Sequence, residues 1–149
     1  MTIQGVTKSA AECLAKAAGA DLFEIKPEIP YTRADLDWTN KNSRSSTEMS
    51  NPDSRPKIAE KIVNMEDYDT VFIGFPIWWY VAPAIINTFL ESYDFSGKTI
   101  VPFATSGGSG MGKTVEVLNS LCPGAHWEKG KMMNRISEEE LKEWLSFDV

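Results

Sequence analysis

Residues Asp69 to Tyr80, reading Asp-Thr-Val-Phe-Ile-Gly-Phe-Pro-Ile-Trp-Trp-Tyr, constrain the fold more than any other stretch of the chain. Thr70 to Gly74 is uncharged and rich in β-branched and aromatic side chains, the pattern of a strand covered on both faces. Pro76 removes a ladder donor and biases Phe75 toward an extended conformation, so the chain should leave the sheet there and carry Trp78, Trp79 and Tyr80 into a loop. Pro83 then stands where a helix begins, ahead of the apolar run Ala84 to Leu90. Strand, aromatic loop and helix make one step of an open α/β sheet, and ligands of such sheets bind outside the carboxyl ends of the strands. Trp78 and Trp79 are placed to stack on a planar ligand. Capping the core explains two adjacent tryptophans equally well.

A length of 149 residues fits one domain over residues 1–149, large enough to bury a core without disulfides or metals. The net charge of −6 and pI near 4.8 disfavour nucleic acid and anionic membranes, and suit encounter with basic partners. Cys13 and Cys122 match no metal spacing and no Cys-x-x-Cys pair, so both read as small apolar residues. No secretory leader and no membrane-length apolar run is visible, which predicts a cytoplasmic protein.

Taken in order, the chain opens on Thr2 to Lys8, a hydroxyl-rich segment containing Gly5 that leads into a helical pattern from about Val6 to Ala18. Gly19 ends that pattern as a glycine beyond a helix C-terminus does. Free amides and the dipole at such a helix start favour an anion, although plain capping also accounts for the hydroxyls. Asp21 to Ile25 reads as a strand, stopped by Pro27 and Pro30. The polar stretch from Lys26 to about Asp53 has no dominant period and reads as an irregular excursion, with Leu36 and Trp38 as candidate anchors. Pro56 to about Met65 reads as a helix burying Ile58, Ile62 and Val63. After the central unit, Asp94 to Gly97 is a turn and Gly97 to Thr105 a strand, with Pro102 requiring an opening in the ladder. A glycine-rich loop and a helix from about Met111 to Leu121 follow, then a short strand at Gly124 to Lys129. Ser137 to Glu140 caps a closing helix that turns Leu141, Trp144 and Leu145 inward. His126, without an evident partner, reads as structural.

Gly107 to Thr114, Gly-Gly-Ser-Gly-Met-Gly-Lys-Thr, fits the phosphate-binding P-loop pattern between a strand and a helix. Backbone amides would cradle phosphates, Lys113 would pair with them and Thr114 would hold magnesium. The other apolar strands, Leu22 to Ile25 and Val71 to Gly74, do not end in the aspartate that would support the metal, so nucleotide binding is a minor alternative.

Two longer motifs occur in order on successive βα units: Phe-Pro-Ile-Trp-Trp-Tyr-Val-Ala-Pro at 75–83 and Thr-Ser-Gly-Gly-Ser-Gly-Met-Gly at 105–112. They resemble the second and third ligand loops of small flavodoxin-like proteins, and the similarity extends through most of the chain. The resemblance implies a flavodoxin-like three-layer α/β/α sandwich with a parallel sheet in the order 2-1-3-4-5. It also implies FMN held at the carboxyl edge. Thr2, Gly5, Val6 and Thr7 would match the phosphate loop. Pro76, Ile77, Trp78, Trp79 and Tyr80 would lie against the isoalloxazine ring, with Trp79 the first choice for stacking. Thr105, Ser106, Gly107 and Gly108 would face its polar edge. No catalytic side chain and no metal ligand is implied.

The chain departs from the family pattern at its start. Met1 falls inside what should be the phosphate loop, Gln4 replaces the usual hydroxyl residue, and the family's first, central strand is missing. Its neighbours would then expose unpaired backbone groups, so residues upstream, closure of the two neighbours or a second copy must compensate, the last through a homodimer. The expected function is FMN-dependent electron transfer or a small flavin-dependent oxidoreductase of the NAD(P)H or quinone reductase kind. It would work with redox partner proteins or a small-molecule acceptor, and without nucleic acid or membrane. The alternative is a truncated scaffold without cofactor that acts through association.

Overall fold

The computed structural model describes residues 6–37, 39–51, 53–77, 82–105, 114–128, 130–133 and 143. Its centre is a parallel sheet in which β1 (Thr70–Pro76) pairs with β2 (Thr99–Thr105), with Thr70 opposite Thr99 and Pro76 opposite Thr105. On the far side of β2 lie two short pieces, β3 (His126–Trp127) beside Thr99 and Ile100, and β4 (Lys131–Met132) beside Phe103 and Ala104. Helix α1 (Val6–Ala18) packs Ala10 and Leu14 on one face of the sheet with Phe72, Phe103 and Met133. The other face carries α3 (Ala84–Glu91), whose Ile85, Ile86, Phe89 and Leu90 join Ile73, Phe75, Ile100 and Ala104 in the larger core. α4 (Thr114–Asn119) adds Leu118 to that core. Helices on both faces of a parallel sheet make an α/β/α sandwich, the layering expected from the sequence.

Both strand prolines are explained by the direction of the ladder. Thr99 donates to the Asp69 carbonyl at 2.9 Å and Ile77 to the Thr105 carbonyl at 2.8 Å, so odd-numbered residues of β1 face β2. Pro76, an even-numbered position, turns its missing N–H away from β2 and costs no bond there. In β2 the even-numbered residues face outward: His126 bonds the Lys98 carbonyl, Glu128 that of Ile100 and Met133 that of Ala104. Pro102 therefore falls between β3 and β4, where the outer strand is interrupted, and the opening expected at this proline is present.

α1 keeps its sequence-predicted bounds, and Gly19 follows it at φ +65° while Ala20 donates to the Ala15 carbonyl at 2.9 Å. Cys13, expected to be buried, is exposed, because the helix turns Ala10 and Leu14 inward and leaves position 13 outside; Cys122 is buried as expected. Pro83 caps α3 without a side-chain bond, and Gly97 closes the turn before β2 at φ +77°.

Two segments depart from the secondary structure expected of them. Asp21 to Ile25 forms no strand, and Leu22 and Phe23 are exposed. A strand needs a hydrogen-bonded neighbour, and among the described residues none pairs with β1 on the side toward this segment. Pro56 to Met65 is not a helix either. Ile58 bridges Pro27 in antiparallel fashion, Glu28 bonds the Lys57 carbonyl and Ala59 that of Lys26, so the backbone groups a helix needs are committed elsewhere. Ile58 and Ile62 still pack on the larger core, while Val63 is 90% exposed, and only a 3₁₀ turn at Met65–Asp67 follows.

The hydroxyl-rich run read as irregular contains α2 (Arg44–Ser50), opened by the Ser43 side chain accepting from the Ser46 amide. Arg44 reaches Glu48 one turn on at 3.0 Å and lies 3.9 Å from the Tyr31 ring centroid, while the Tyr31 hydroxyl donates to Glu48. Burial first, then the bond to Glu48, raises the Tyr31 pKa. This cluster ties the excursion to α2. Leu36 is half-buried; Trp38 lies outside the described residues, as does most of the closing-helix segment, with Glu143 alone described as helical.

Candidate functional site

The carboxyl ends of β1 and β2 and the first turn of α1 converge on one edge of the sheet. β2 is buried along almost its whole length, which fixes Thr105 at its end with 4% exposure. β1 ends level with it at Pro76, and the Ile77 amide bonded to the Thr105 carbonyl extends the register one step past the strand. Ile77 is 8% exposed and belongs to the larger core, so its backbone is held one residue past the end of β1.

From the opposite direction, α1 brings Thr7 over this edge, and the Thr7 and Thr105 hydroxyls lie 2.6 Å apart. The bond spans 98 residues of sequence and joins the start of a 13-residue helix to the end of a central strand. It places the helix N-terminus, where amides lack intrahelical partners and the dipole is positive, at the strand ends. Either hydroxyl can donate in the pair, and each keeps further capacity to accept or donate. The edge thus offers an anion-favouring helix start beside an apolar shelf made of Pro76 and Ile77.

Four sequence-predicted site residues, Thr7, Pro76, Ile77 and Thr105, are brought together, and the Val6 backbone opens the helix beside them. Thr2, Gly5, Trp78, Trp79, Tyr80, Ser106, Gly107 and Gly108 lie outside the described residues. Within the P-loop pattern, Thr114 is fully buried, a poor position for a hydroxyl meant to hold a hydrated metal. Among the described residues no group of three His, Cys, Asp or Glu side chains could hold a metal ion. His126 is exposed and finds a partner in Glu128 at 2.9 Å, away from this edge on β3.

One feature was not found from sequence. A cavity of about 610 Å³ lies between α1, residues 20–25 and the side of β1 turned away from β2, with Ala11, Leu14, Ala15, Ile62, Ile86 and Phe89 in its lining. Its signal was the strand pattern itself, since Thr70 to Gly74 is apolar enough to expect neighbours on both sides.

A family model described as Flavodoxin matches residues 1–147. No curated protein matches the chain. Among solved structures, a candidate flavoprotein from Bacteroides eggerthii is 53% identical, with 95% of this chain and 89% of that one covered and a TM-score of 0.92. One from Bacteroides uniformis is 50% identical over 95% and 90% of the two chains, with a TM-score of 0.90. A Lactobacillus acidophilus flavoprotein in complex with FMN shares the fold at 21% identity, over 95% and 92% of the chains, with a TM-score of 0.70.

Proposed function

Because the chain belongs to the flavodoxin family, we propose that it binds FMN at the carboxyl edge of its sheet and passes electrons through it. The observation that carries this reading is the Thr7–Thr105 hydroxyl pair, which sets a helix start against the ends of two parallel strands. An FMN phosphate suits the opening turn of α1, where Thr2, Gly5, Val6 and Thr7 would supply amides and hydroxyls, with a dipole contribution of about 0.3–1 kcal/mol. Pro76 and Ile77, followed by Trp78, Trp79 and Tyr80, would give the ring an apolar and aromatic surface. Thr105 with Ser106, Gly107 and Gly108 would serve its polar edge.

The flavin supplies the redox chemistry, and the protein sets its environment. The chain's contribution is to hold the ring between two loops, to shield one side from water, and to tune electron uptake through its charge. A net charge of −6 makes added negative charge at the site less favourable and so lowers the potential. Likeness to the Lactobacillus acidophilus flavoprotein supports the choice of cofactor through the shared fold. Whether the protein acts as a carrier or as a small reductase turns on its partners: a redox protein with a basic face suits the first, a nicotinamide donor and a quinone-type acceptor the second.

The test is a titration of FMN with the purified chain, followed by flavin fluorescence. Saturable one-to-one quenching, weakened in Trp79→Ala, supports the reading; a folded chain that leaves FMN fluorescence unchanged refutes it and favours a scaffold without cofactor. Steady turnover of NAD(P)H with a quinone by the loaded protein would select the reductase, and none would select the carrier.

A further inference from the structure

The Thr7 and Thr105 hydroxyls lie 2.6 Å apart, and either can be the donor. A threonine hydroxyl carries one proton and two acceptor lone pairs, so a bonded pair holds one proton between its oxygens and leaves the other free to point outward. If Thr7 donates to Thr105, the outward proton belongs to Thr105 and Thr7 offers only lone pairs to the helix start. If Thr105 donates to Thr7, the outward proton belongs to Thr7 and Thr105 offers only lone pairs at the end of β2. The pair has two states that differ in hydrogen-bond direction alone.

Its surroundings make the direction matter. Thr105 is 4% exposed and its carbonyl already accepts from the Ile77 amide, so water has little room to replace a partner of the hydroxyl. Thr7 is half-buried in the opening turn of α1, among amides that lack intrahelical partners. That turn carries no acidic residue, so no carboxylate of its own competes for the Thr7 proton or for the positive end of the helix dipole. An anion at this helix start attracts a hydroxyl proton and is repelled by hydroxyl lone pairs.

We propose that the pair couples the two ends of the flavin site, by running as a relay from Thr105 to Thr7 to the phosphate when FMN is bound. The coupling rests on the FMN reading above and adds to it a second role for Thr105. With the direction fixed by the phosphate, Thr105 is left as an acceptor and suits an N–H group on the polar edge of the ring. It also becomes a positioning residue for the Thr7 proton. Successive bonds of one direction polarise and strengthen one another by about 10–30% each. A bond to an ionised phosphate is roughly twice as strong as a neutral one, so the gain falls where it counts most. Riboflavin, with the same ring and no phosphate, leaves the direction open. Loss of the Thr105 hydroxyl therefore removes two contributions from FMN, the ring contact and the support of the phosphate bond, and only the first from riboflavin.

The experiment measures dissociation constants of FMN and riboflavin by flavin fluorescence for the parent chain, Thr105→Val and Thr105→Ser. Valine keeps the shape and removes the hydroxyl, whereas serine keeps the hydroxyl and drops the methyl. The preference for FMN over riboflavin should fall about threefold in Thr105→Val, through the larger loss for FMN, and return to within about twofold of the parent's in Thr105→Ser. Should Thr105→Val fail to fold by circular dichroism, Thr105→Ala takes its place with the same expectation. Equal weakening of both flavins, or no change in either, overturns the relay, because Thr105 then acts at the ring alone or not at all. A preference lost with valine and not restored by serine overturns it as well, since the methyl group then sets the effect. Equal binding of FMN and riboflavin by the parent removes the phosphate end and overturns the relay while the ring site stands. A folded parent that binds neither flavin overturns the relay together with the function proposed above.

Discussion

Gly74 sits in the middle of β1, where ordinary strand backbone makes no demand for glycine; what demands it is Phe103. A Cβ built on Gly74 would lie 2.8 Å from Phe103 Cε1 and closer still to Cζ and Cε2. Phe103 is 3% exposed and packed among Ala10, Leu14 and Met133 beneath α1, so the ring can retreat only into the cavity it lines with Gly74, at the expense of those contacts. Gly74→Ala therefore forces a shift in the face of the sheet that carries α1. Overpacking of this kind costs about 1–3 kcal/mol, against which glycine removal from a strand returns roughly 0.5–1 kcal/mol. The net expectation is a loss of about 1–2 kcal/mol, or roughly 2–8 °C in melting temperature for a chain of this size. Urea denaturation followed by tryptophan fluorescence measures it directly. Phe103→Leu removes ring atoms from the contact, so the double variant should lose less than the sum of the singles by at least about 0.5 kcal/mol. A Gly74→Ala chain as stable as the parent, or strictly additive losses, would refute the packing argument.

Other expectations can be checked on the same material. Lys98 is 9% exposed and its Nζ donates to the carbonyls of Met65, at 3.0 Å, and Tyr68, so Lys98→Met should destabilise the fold by about 1–3 kcal/mol by leaving both acceptors unmet, as read by urea denaturation. Thr105→Val removes the partner of Thr7 and should raise the FMN dissociation constant about three- to tenfold, through a loss near 1 kcal/mol, with a circular dichroism spectrum like the parent's. In acid, Glu91 is held below the usual carboxylate range by its hydrogen bonds from Arg55, Asp35 by the Thr32 amide, and Asp94 by the Ser96 amide. Carboxyls with lowered folded-state pKa values stabilise above their unfolded pKa and lose that contribution as pH falls through the folded one. Stability should thus be flat from neutral pH to about pH 5 and decline below about pH 4, and an increase in stability on acidification would contradict the assignment.

The parts of the fold that were legible share a physical cause. Val6 to Ala18, Thr70 to Gly74 and Ala84 to Glu91 each bury a continuous apolar face within one element, so periodicity and flanking glycine or proline sufficed, although the strand runs on to Pro76 where the sequence had the chain leaving the sheet. Pro102 was legible too, as a demand for an opening that the gap between β3 and β4 meets. What could not be read depended on partners distant in sequence. Asp21 to Ile25 has the composition of a strand, but composition does not provide a neighbour to bond. Ile58 and Ile62 are spaced as on a helix, yet their segment is held extended by the Pro27 bridge and by the Ile62 amide donating to Tyr93 at 2.8 Å. α2 was hidden because Ser45 and Ser46 are buried polar residues held by Ser43 and flanked by the Tyr31, Arg44 and Glu48 cluster, which no hydrophobic period marks. At the site, Thr7 and Thr105 were each named from sequence, while their direct bond was visible only in three dimensions.

In the proposed site, the edge formed by Thr7, Pro76, Ile77 and Thr105 would hold FMN by both its phosphate and its ring. The most direct measurement is a fluorescence titration of the chain with FMN beside riboflavin, which has the same ring and no phosphate. Expected are saturable one-to-one quenching of FMN and binding of riboflavin at least about tenfold weaker, the difference that follows when charge-assisted bonds at a helix start are lost. Equal affinity for the two flavins would rule out the phosphate site at α1, and no binding of either by the folded chain would rule out a flavin site at this edge.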